Sequence, residues 1–236
     1  MHKIKHNKPL SELLASRHTE SEKQIYAKAR SQFSGSDEEF FSLARQYGDL
    51  APDKKGIFLK QHDISVQDSA LSLAISPEMG EFLFNLTLSK RPRVILELGS
   101  SNGVSTLYFA EALRVSGGGR VIATEVEASK CQTLRNDVQA LGLADYVEVR
   151  EGDVFETAKN LRGPFDILFI DIWASSYLDI FKEVEYLLAP GSIVLADNMY
   201  TAFEELQAFR AYLSAKPNIS NTTLPFESGV EFCVVM

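Results

Sequence analysis

Val94-Ile-Leu-Glu-Leu-Gly-Ser-Ser-Asn-Gly-Val-Ser105 is the stretch from which the rest of the chain is read. Its first five residues are a short β-rich run that stops at Gly99. From Ser105 to Leu113 the apolar residues Leu107, Ala110 and Leu113 recur at helical spacing. Strand, glycine-bearing turn and helix, in that order, open a parallel α/β sheet. Gly99 and Gly103 let the backbone turn tightly and approach a ligand closely. The helix start offers N–H groups free to hold an anionic group. The dinucleotide pattern GxGxxG fails here, because Ser100 and Ser101 follow Gly99. A nicotinamide dehydrogenase is therefore disfavoured.

Working outward, the alternation continues. Strands are expected at 121–125, 147–149, 165–171 and 192–196, with helices at 128–141, 154–161 and 177–188 between them. Gly142, Gly163-Pro164 and Pro190-Gly191 punctuate the pattern. Short apolar runs separated by helices predict a parallel sheet buried on both faces. Beyond it, 201–215 reads as a helix. Two strands at 221–226 and 230–236, split by Glu227-Ser-Gly229, read as a hairpin. The expected fold is thus α/β, seven-stranded and mostly parallel, with helices on both faces and a C-terminal antiparallel pair.

The first part differs. Helices are expected at 10–15, 20–33, 37–47 and 69–88, and 48–63, with its proline and lysines, reads as a loop. Residues 1–76 are taken as an N-terminal helical segment that caps the sheet or contacts another subunit, and 77–236 as the sheet domain.

The 236 residues are 45% hydrophobic and 24% charged, an ordinary globular balance. A net charge of -8 repels phosphate backbones, so nucleic acid is not expected as a partner. The basic run at 2–8 reads as a solvated tail. Cys131 and Cys233 are far apart and form no CxxC, so two free thiols in a reducing cytoplasm are expected. The polar N-terminus lacks a signal-like apolar core, and no run approaches the length of a membrane span.

In open parallel sheets ligands bind beyond the carboxyl ends of the strands, so those ends carry the candidates. Glu125 ends the second strand, where a carboxylate can accept both hydroxyls of a ribose. Asp153 follows the third, within reach of an adenine amino group. Asp171 ends the fourth, and Asp197-Asn198 end the fifth. Two carboxylates and an amide oxygen on neighbouring strands suit a hard cation such as Mg²⁺ or Ca²⁺.

The ordered set VILELGSSNGVS, ATEVE, EGD, FDILFIDIWASSY and VLADN resembles the cation-dependent O-methyltransferases, the group of the catechol and caffeoyl-coenzyme A enzymes. The resemblance runs from about 77 to 198, and Leu224-Pro-Phe-Glu-Ser-Gly-Val230 is similar to that family's last hairpin. It implies a Rossmann-like fold and S-adenosyl-L-methionine as methyl donor. It places Glu97, Gly99, Ser101, Gly103 and Ser105 around the methionine end, Glu125 on the ribose and Asp153 by the adenine. Asp171 and Trp173 would border the cofactor pocket. Asp171, Asp197 and Asn198 would hold a divalent cation, with Asp171 central to catalysis. A small methyl acceptor with vicinal oxygens, as in a phenolic compound, and a homodimer are also implied.

Two departures stand out. The family's lysine after the first metal aspartate is replaced by Ala174, which takes no proton. Tyr177, His62, an N-terminal lysine or metal-bound water remain as alternatives. After Asn198 the family's longer insert is missing, so the pocket is expected to be more open or closed by the N-terminal helices. Two other readings stay in view: a metal-independent methyltransferase acting on O, N or C, and a non-catalytic S-adenosylmethionine-binding protein.

Overall fold

The computed structural model describes residues 4, 7–65, 71–226 and 228–236. Most of the basic tail, the first two residues of the 69–88 helix and Glu227 of the hairpin turn lie outside them. One seven-stranded sheet organises the chain, in the order β3-β2-β1-β4-β5-β7-β6. Its parallel part is β1 (Val94–Leu98), β2 (Arg120–Glu125), β3 (Val147–Glu151), β4 (Phe165–Ile170) and β5 (Leu188–Ala196). The antiparallel hairpin of β6 (Ile219–Leu224) and β7 (Val230–Val235) closes it, with β7 paired to β5. The strand order reverses at β1, whose neighbours are β2 and β4, and this is where such sheets place their ligand crevice.

The apolar strands serve two cores because successive side chains point to opposite faces. Ile95, Ile167 and Phe169 pack with Leu83 of α4 (Pro77–Lys90) and Leu107 and Phe109 of α5 (Val104–Ser116). Leu96, Leu98, Leu168 and Ile170 pack on the other face with Tyr177 and Phe181 of α8 (Tyr177–Val184) and Phe209 of α9 (Gln207–Ser214). Each fully buried large side chain contributes about 1.5–3 kcal/mol, so these layers fix the strand ends rigidly. The remaining crossover helices are α6 (Ala128–Ala140) and the short α7 (Val154–Thr157), half the expected length.

Several expectations are corrected. The two helices expected at 10–15 and 20–33 are one, α1 (Lys8–Gln32), begun by the Asn7 side chain accepting from the Leu10 N–H. The next helix, α2 (Asp37–Asp49), opens with a Ser36/Glu39 capping box. The segment read as a loop contains α3 (Pro52–Gln61), in which Pro52 occupies the first turn, where a missing N–H costs nothing. The helix α4 begins at Pro77, with the Ser76 hydroxyl accepting from the Met79 N–H; residues 71–76 are extended and irregular. Pro190 and Gly191 do not precede the fifth strand but lie within it, and the β4–β5 register shifts between Phe165 and Ile167. The helix expected over 201–215 is regular only from Gln207, because the Tyr200 and Thr201 N–H groups turn away to the Ser228 carbonyl. Among the described residues no helix is long and apolar enough to cross a membrane.

Candidate functional site

The carboxyl ends of β1, β2, β4 and β5 meet at the crevice. Gly99, at φ +89°, ends β1 directly beneath the exit of β4: a Cβ there would lie 2.1 Å from the Asp171 carbonyl oxygen. Gly103 caps α5 with φ +84°, and a Cβ there would lie 2.3 Å from a Leu134 methyl. Both glycines are thus required by the protein's own packing. The Gly99 and Ser100 N–H groups bond the Thr124 carbonyl, and the Ser101 N–H donates to Glu125 Oε2 at 2.9 Å. The other Glu125 oxygen accepts from the Glu127 N–H at 2.9 Å. The β1 turn and the β2 carboxylate are therefore one hydrogen-bonded unit.

Glu97 is fully buried within that unit. Thr106 Oγ1 donates to its Oε2 at 2.5 Å. Its Oε1 has no partner among the described residues, and neither do the buried hydroxyls of Ser100 and Ser101. Burial pushes the Glu97 carboxyl up from 4.5 to about 7, with the Ser105 and Thr106 hydroxyls working against the rise. Orphaned buried polar atoms around one turn are what an amino-acid end of a ligand, with its ammonium and carboxylate, would satisfy. Asp153 lies at the start of α7, where its Oδ1 accepts from the Phe155 N–H at 2.8 Å. Trp173 stands 45% exposed just after Asp171.

Asp171 follows β4 and Asp197 follows β5, and the strands pair Ile170 with Ala196 immediately before them. Asn198 adopts φ +66°, which brings its side-chain amide to 2.9 Å from Asp171 Oδ1. Asp197 Oδ1 accepts from the Asn198 N–H at 2.8 Å and from the Ser228 hydroxyl. Asp171 is held well above the usual carboxylate range, by desolvation first and then by Asp197 and Glu97. Converging carboxylates that destabilise each other's charge, and that present hard oxygens, fit a divalent cation. The candidates are these two aspartates and the Asn198 amide, whose oxygen here accepts from Thr201 Oγ1 at 3.1 Å; among the described residues no group of three or more His, Cys, Asp or Glu is gathered for a metal.

The residue in place of the family's lysine is inert: Ala174 is buried at the start of a 3-10 turn. Tyr177 donates to the Ile170 carbonyl at 3.2 Å, and burial followed by the two aspartates holds its phenol well above the ordinary value. It donates from beneath the cluster. His62 lies at the end of α3 with Nδ1 2.8 Å from the Phe58 carbonyl. Lys60 reaches the cavity wall but pairs with Glu204.

Above the aspartates opens a cavity of about 1150 Å³, roofed by α1, α2 and α3. Where the family's insert is missing, α3 takes its place: a Cβ on Gly56 would lie 2.8 Å from Tyr200 O and from Thr201 Cα. Segment 71–76 ties the roof to the β1 turn. The Ser72 N–H donates to Gln24 of α1, and Ser72 Oγ accepts from Asn102 at 2.6 Å. Ser228 lies in the conspicuous hairpin 224–230. His18 and Ser72 carry no motif; His18 Nε2 sits 3.3 Å from the Tyr108 hydroxyl, and burial lowers its pKa.

A sequence profile described as a methyltransferase domain matches residues 96–199. The chain is 32% identical to a catechol O-methyltransferase of Niastella koreensis, over 68% of this chain and 79% of that one. It is 31% identical to a catechol O-methyltransferase of Mycobacterium tuberculosis, over 54% of this chain and 57% of that one. The crystal structure of an O-methyltransferase from Bacillus cereus in complex with SAH superimposes with a TM-score of 0.63 at 25% identity, covering 78% of this chain and 90% of that one.

Proposed function

Because the chain belongs to the S-adenosylmethionine-dependent O-methyltransferases of the catechol and caffeoyl-coenzyme A type, we propose that it methylates one of two vicinal oxygens of a small molecule with the help of a divalent cation. The observation that carries this reading is the convergence of Asp171, Asp197 and Asn198 on the floor of the roofed cavity.

In this proposal Glu97, Gly99, Ser101, Gly103 and Ser105 hold the methionine end of the donor, and the free Oε1 of Glu97 faces its ammonium. Glu125 accepts from the ribose hydroxyls while staying bonded to the Ser101 and Glu127 N–H groups, since each carboxylate oxygen has two lone pairs. Asp153 serves the adenine, and Trp173 borders the cofactor. Asp171, Asp197 and Asn198 hold the cation, which when bound supplies Lewis acidity that lowers the pKa of the acceptor hydroxyl. Tyr177 and Ser228 position this set from below and from the side. The acceptor oxygen then attacks the methyl carbon in line. The O–C bond forms as the S–C bond breaks, and the hydroxyl proton leaves to water, since Ala174 cannot take it. The side chains contribute mainly placement, which alone is worth about 7–11 kcal/mol in well-oriented reactions. The first 76 residues supply the roof, and 77–236 the donor and cation sites.

Calorimetric titration tests the reading. S-adenosylhomocysteine should bind with Mg²⁺ and with EDTA alike, whereas a catechol probe should bind, and be methylated, only with Mg²⁺. Cofactor binding with metal-indifferent turnover would replace this reading with a metal-independent methyltransferase. Cofactor binding without turnover of any acceptor would favour a binding protein.

A second expectation concerns pH. A carboxyl raised in the folded state contributes stability that is complete below its ordinary 4.5 and is lost as pH rises through about 7. The charged form of Glu97 is thus disfavoured in the free protein by about 3 kcal/mol, at ~1.4 kcal/mol per pH unit. An ammonium beside Oε1 needs that charged form, so cofactor binding below pH 7 should release a proton. Affinity for S-adenosylhomocysteine should fall by up to about tenfold per pH unit from pH 7 downward. Titration in two buffers of different ionisation enthalpy reads the proton directly. A Glu97→Gln variant should bind weakly at every pH without this slope; a wild-type affinity flat between about pH 6 and 8 would remove Glu97 from the ammonium.

A further inference from the structure

The cavity is too large, too apolar and too acidic for the acceptors whose names the relatives carry. At about 1150 Å³ it exceeds the ~300–1,000 Å³ that serves drug-sized ligands. A single catechol ring seated on the aspartates would leave most of it filled with water against apolar wall. That wall is formed by Tyr26 of α1, Phe40 and Leu43 of α2, Ile57 of α3, Met79 of α4 and Phe226. Two of these, Tyr26 and Ile57, are 41% and 51% exposed, which is much for large apolar side chains facing a cavity. The charges point the same way. Away from the floor the lining carries Glu22, Asp63, Glu204 and Glu205. Lys60 is its only lysine or arginine among the described residues, and it is paired with Glu204. A phosphate-bearing carrier such as coenzyme A needs guanidinium or ammonium groups and would meet carboxylates instead.

We propose that the methyl acceptor is a lipophilic molecule without anionic groups, with vicinal hydroxyls at one end and a multi-ring or long alkyl body lodged between α1, α2 and α3. This rests on the O-methylation reading above. The hydroxyl end reaches the floor aspartates, and the body removes from water the exposed apolar faces of Tyr26 and Ile57, beside the already buried Phe40 and Leu43. Burial of that surface is the driving force, so affinity rises with the apolar length of the acceptor.

The test compares kcat/KM for catechol, 4-methylcatechol, 4-hexylcatechol and caffeoyl-coenzyme A with S-adenosylmethionine and Mg²⁺. The expected result is a rise of at least about tenfold from catechol to 4-hexylcatechol, carried mainly by KM, with caffeoyl-coenzyme A below catechol. 4-Hexylanisole, which has the tail without the hydroxyl pair, should inhibit 4-hexylcatechol turnover competitively. Ile57→Glu, at an exposed position, should keep the fold by circular dichroism and reduce the advantage of the hexyl tail severalfold. Turnover of catechol with no gain from the tail would overturn the lipophilic acceptor and leave the O-methylation reading standing. So would caffeoyl-coenzyme A as the best substrate. Conversion of a dimer to a monomer by Ile57→Glu in sedimentation would also overturn it, since a second copy would then cover the wall. No turnover of any vicinal diol would bring down both.

Discussion

Asp197→Asn is expected to lower kcat/KM by about 10³-fold while raising the melting temperature. The activity loss corresponds to the several kcal/mol that a bound Lewis acid supplies, at ~1.4 kcal/mol per tenfold. Asparagine keeps the oxygen that accepts from the Asn198 N–H and the Ser228 hydroxyl, so the local structure is preserved. What it removes is a charge that destabilises its neighbour: after desolvation, Asp197 is the largest cause of the raised Asp171 carboxyl. Relief of about 1 kcal/mol would appear as a rise of ~2–4 °C in a chain of this size. Opposite signs for activity and stability are the signature of a functional charge cluster. Affinity for S-adenosylhomocysteine should stay in place, because Asp197 is outside the proposed donor site. Unchanged kcat/KM, or cofactor binding lost together with activity, would contradict the assignment.

Gly99→Ala should be strongly destabilising. The position combines φ +89° with a backbone oxygen 2.1 Å from where the Cβ would stand, and a backbone atom at the end of β4 has no rotamer by which to retreat. The left-handed conformation costs about 1–2 kcal/mol and the overpacking about 1–3 kcal/mol, so unfolding in urea should show a loss of roughly 2–5 kcal/mol. The accompanying shift of Asp171 should abolish measurable S-adenosylhomocysteine binding. Gly117→Ala is the matched control. Its φ is +90°, yet nothing lies within 4 Å of the added carbon. It should lose only the conformational part, about 1–2 kcal/mol, and bind cofactor normally. Equal losses for the two variants would show that the close approach to Asp171 carries no weight.

The contrast between these residues and the roof explains what could be read from the chain. Runs such as 94–98 and 165–170 are apolar almost throughout because both faces of the sheet are covered, and they end where polar residues must take over. The candidate carboxylates were legible for the same reason: Glu125, Asp171 and Asp197 stand where buried strands give way to the crevice. The roof was read poorly. Pro52 and three lysines suggest a loop, yet they form α3, whose place is decided by the bare backbone of Gly56 against residues 200 and 201. Nothing local encodes that approach. Ser72 likewise became part of the site through partners 48 and 30 residues away, Gln24 and Asn102. His18 owes its place to the docking of α1 on Tyr108. Local pattern specifies elements; long-range contacts decide what roofs them.

The pairing of Ile170 with Ala196 has a geometrical consequence. The two aspartates are the next residues along adjacent parallel strands, so their backbones stand one inter-strand spacing apart, about 4.8 Å. That gauge is a lattice constant of the hydrogen-bonded sheet and does not depend on which side chains follow. Substitution can change how many oxygens reach into the gap, or their charge, but not its width. Ancestral drift in such a site would therefore alter which ion or acceptor it prefers long before it altered the ruler on which both are measured.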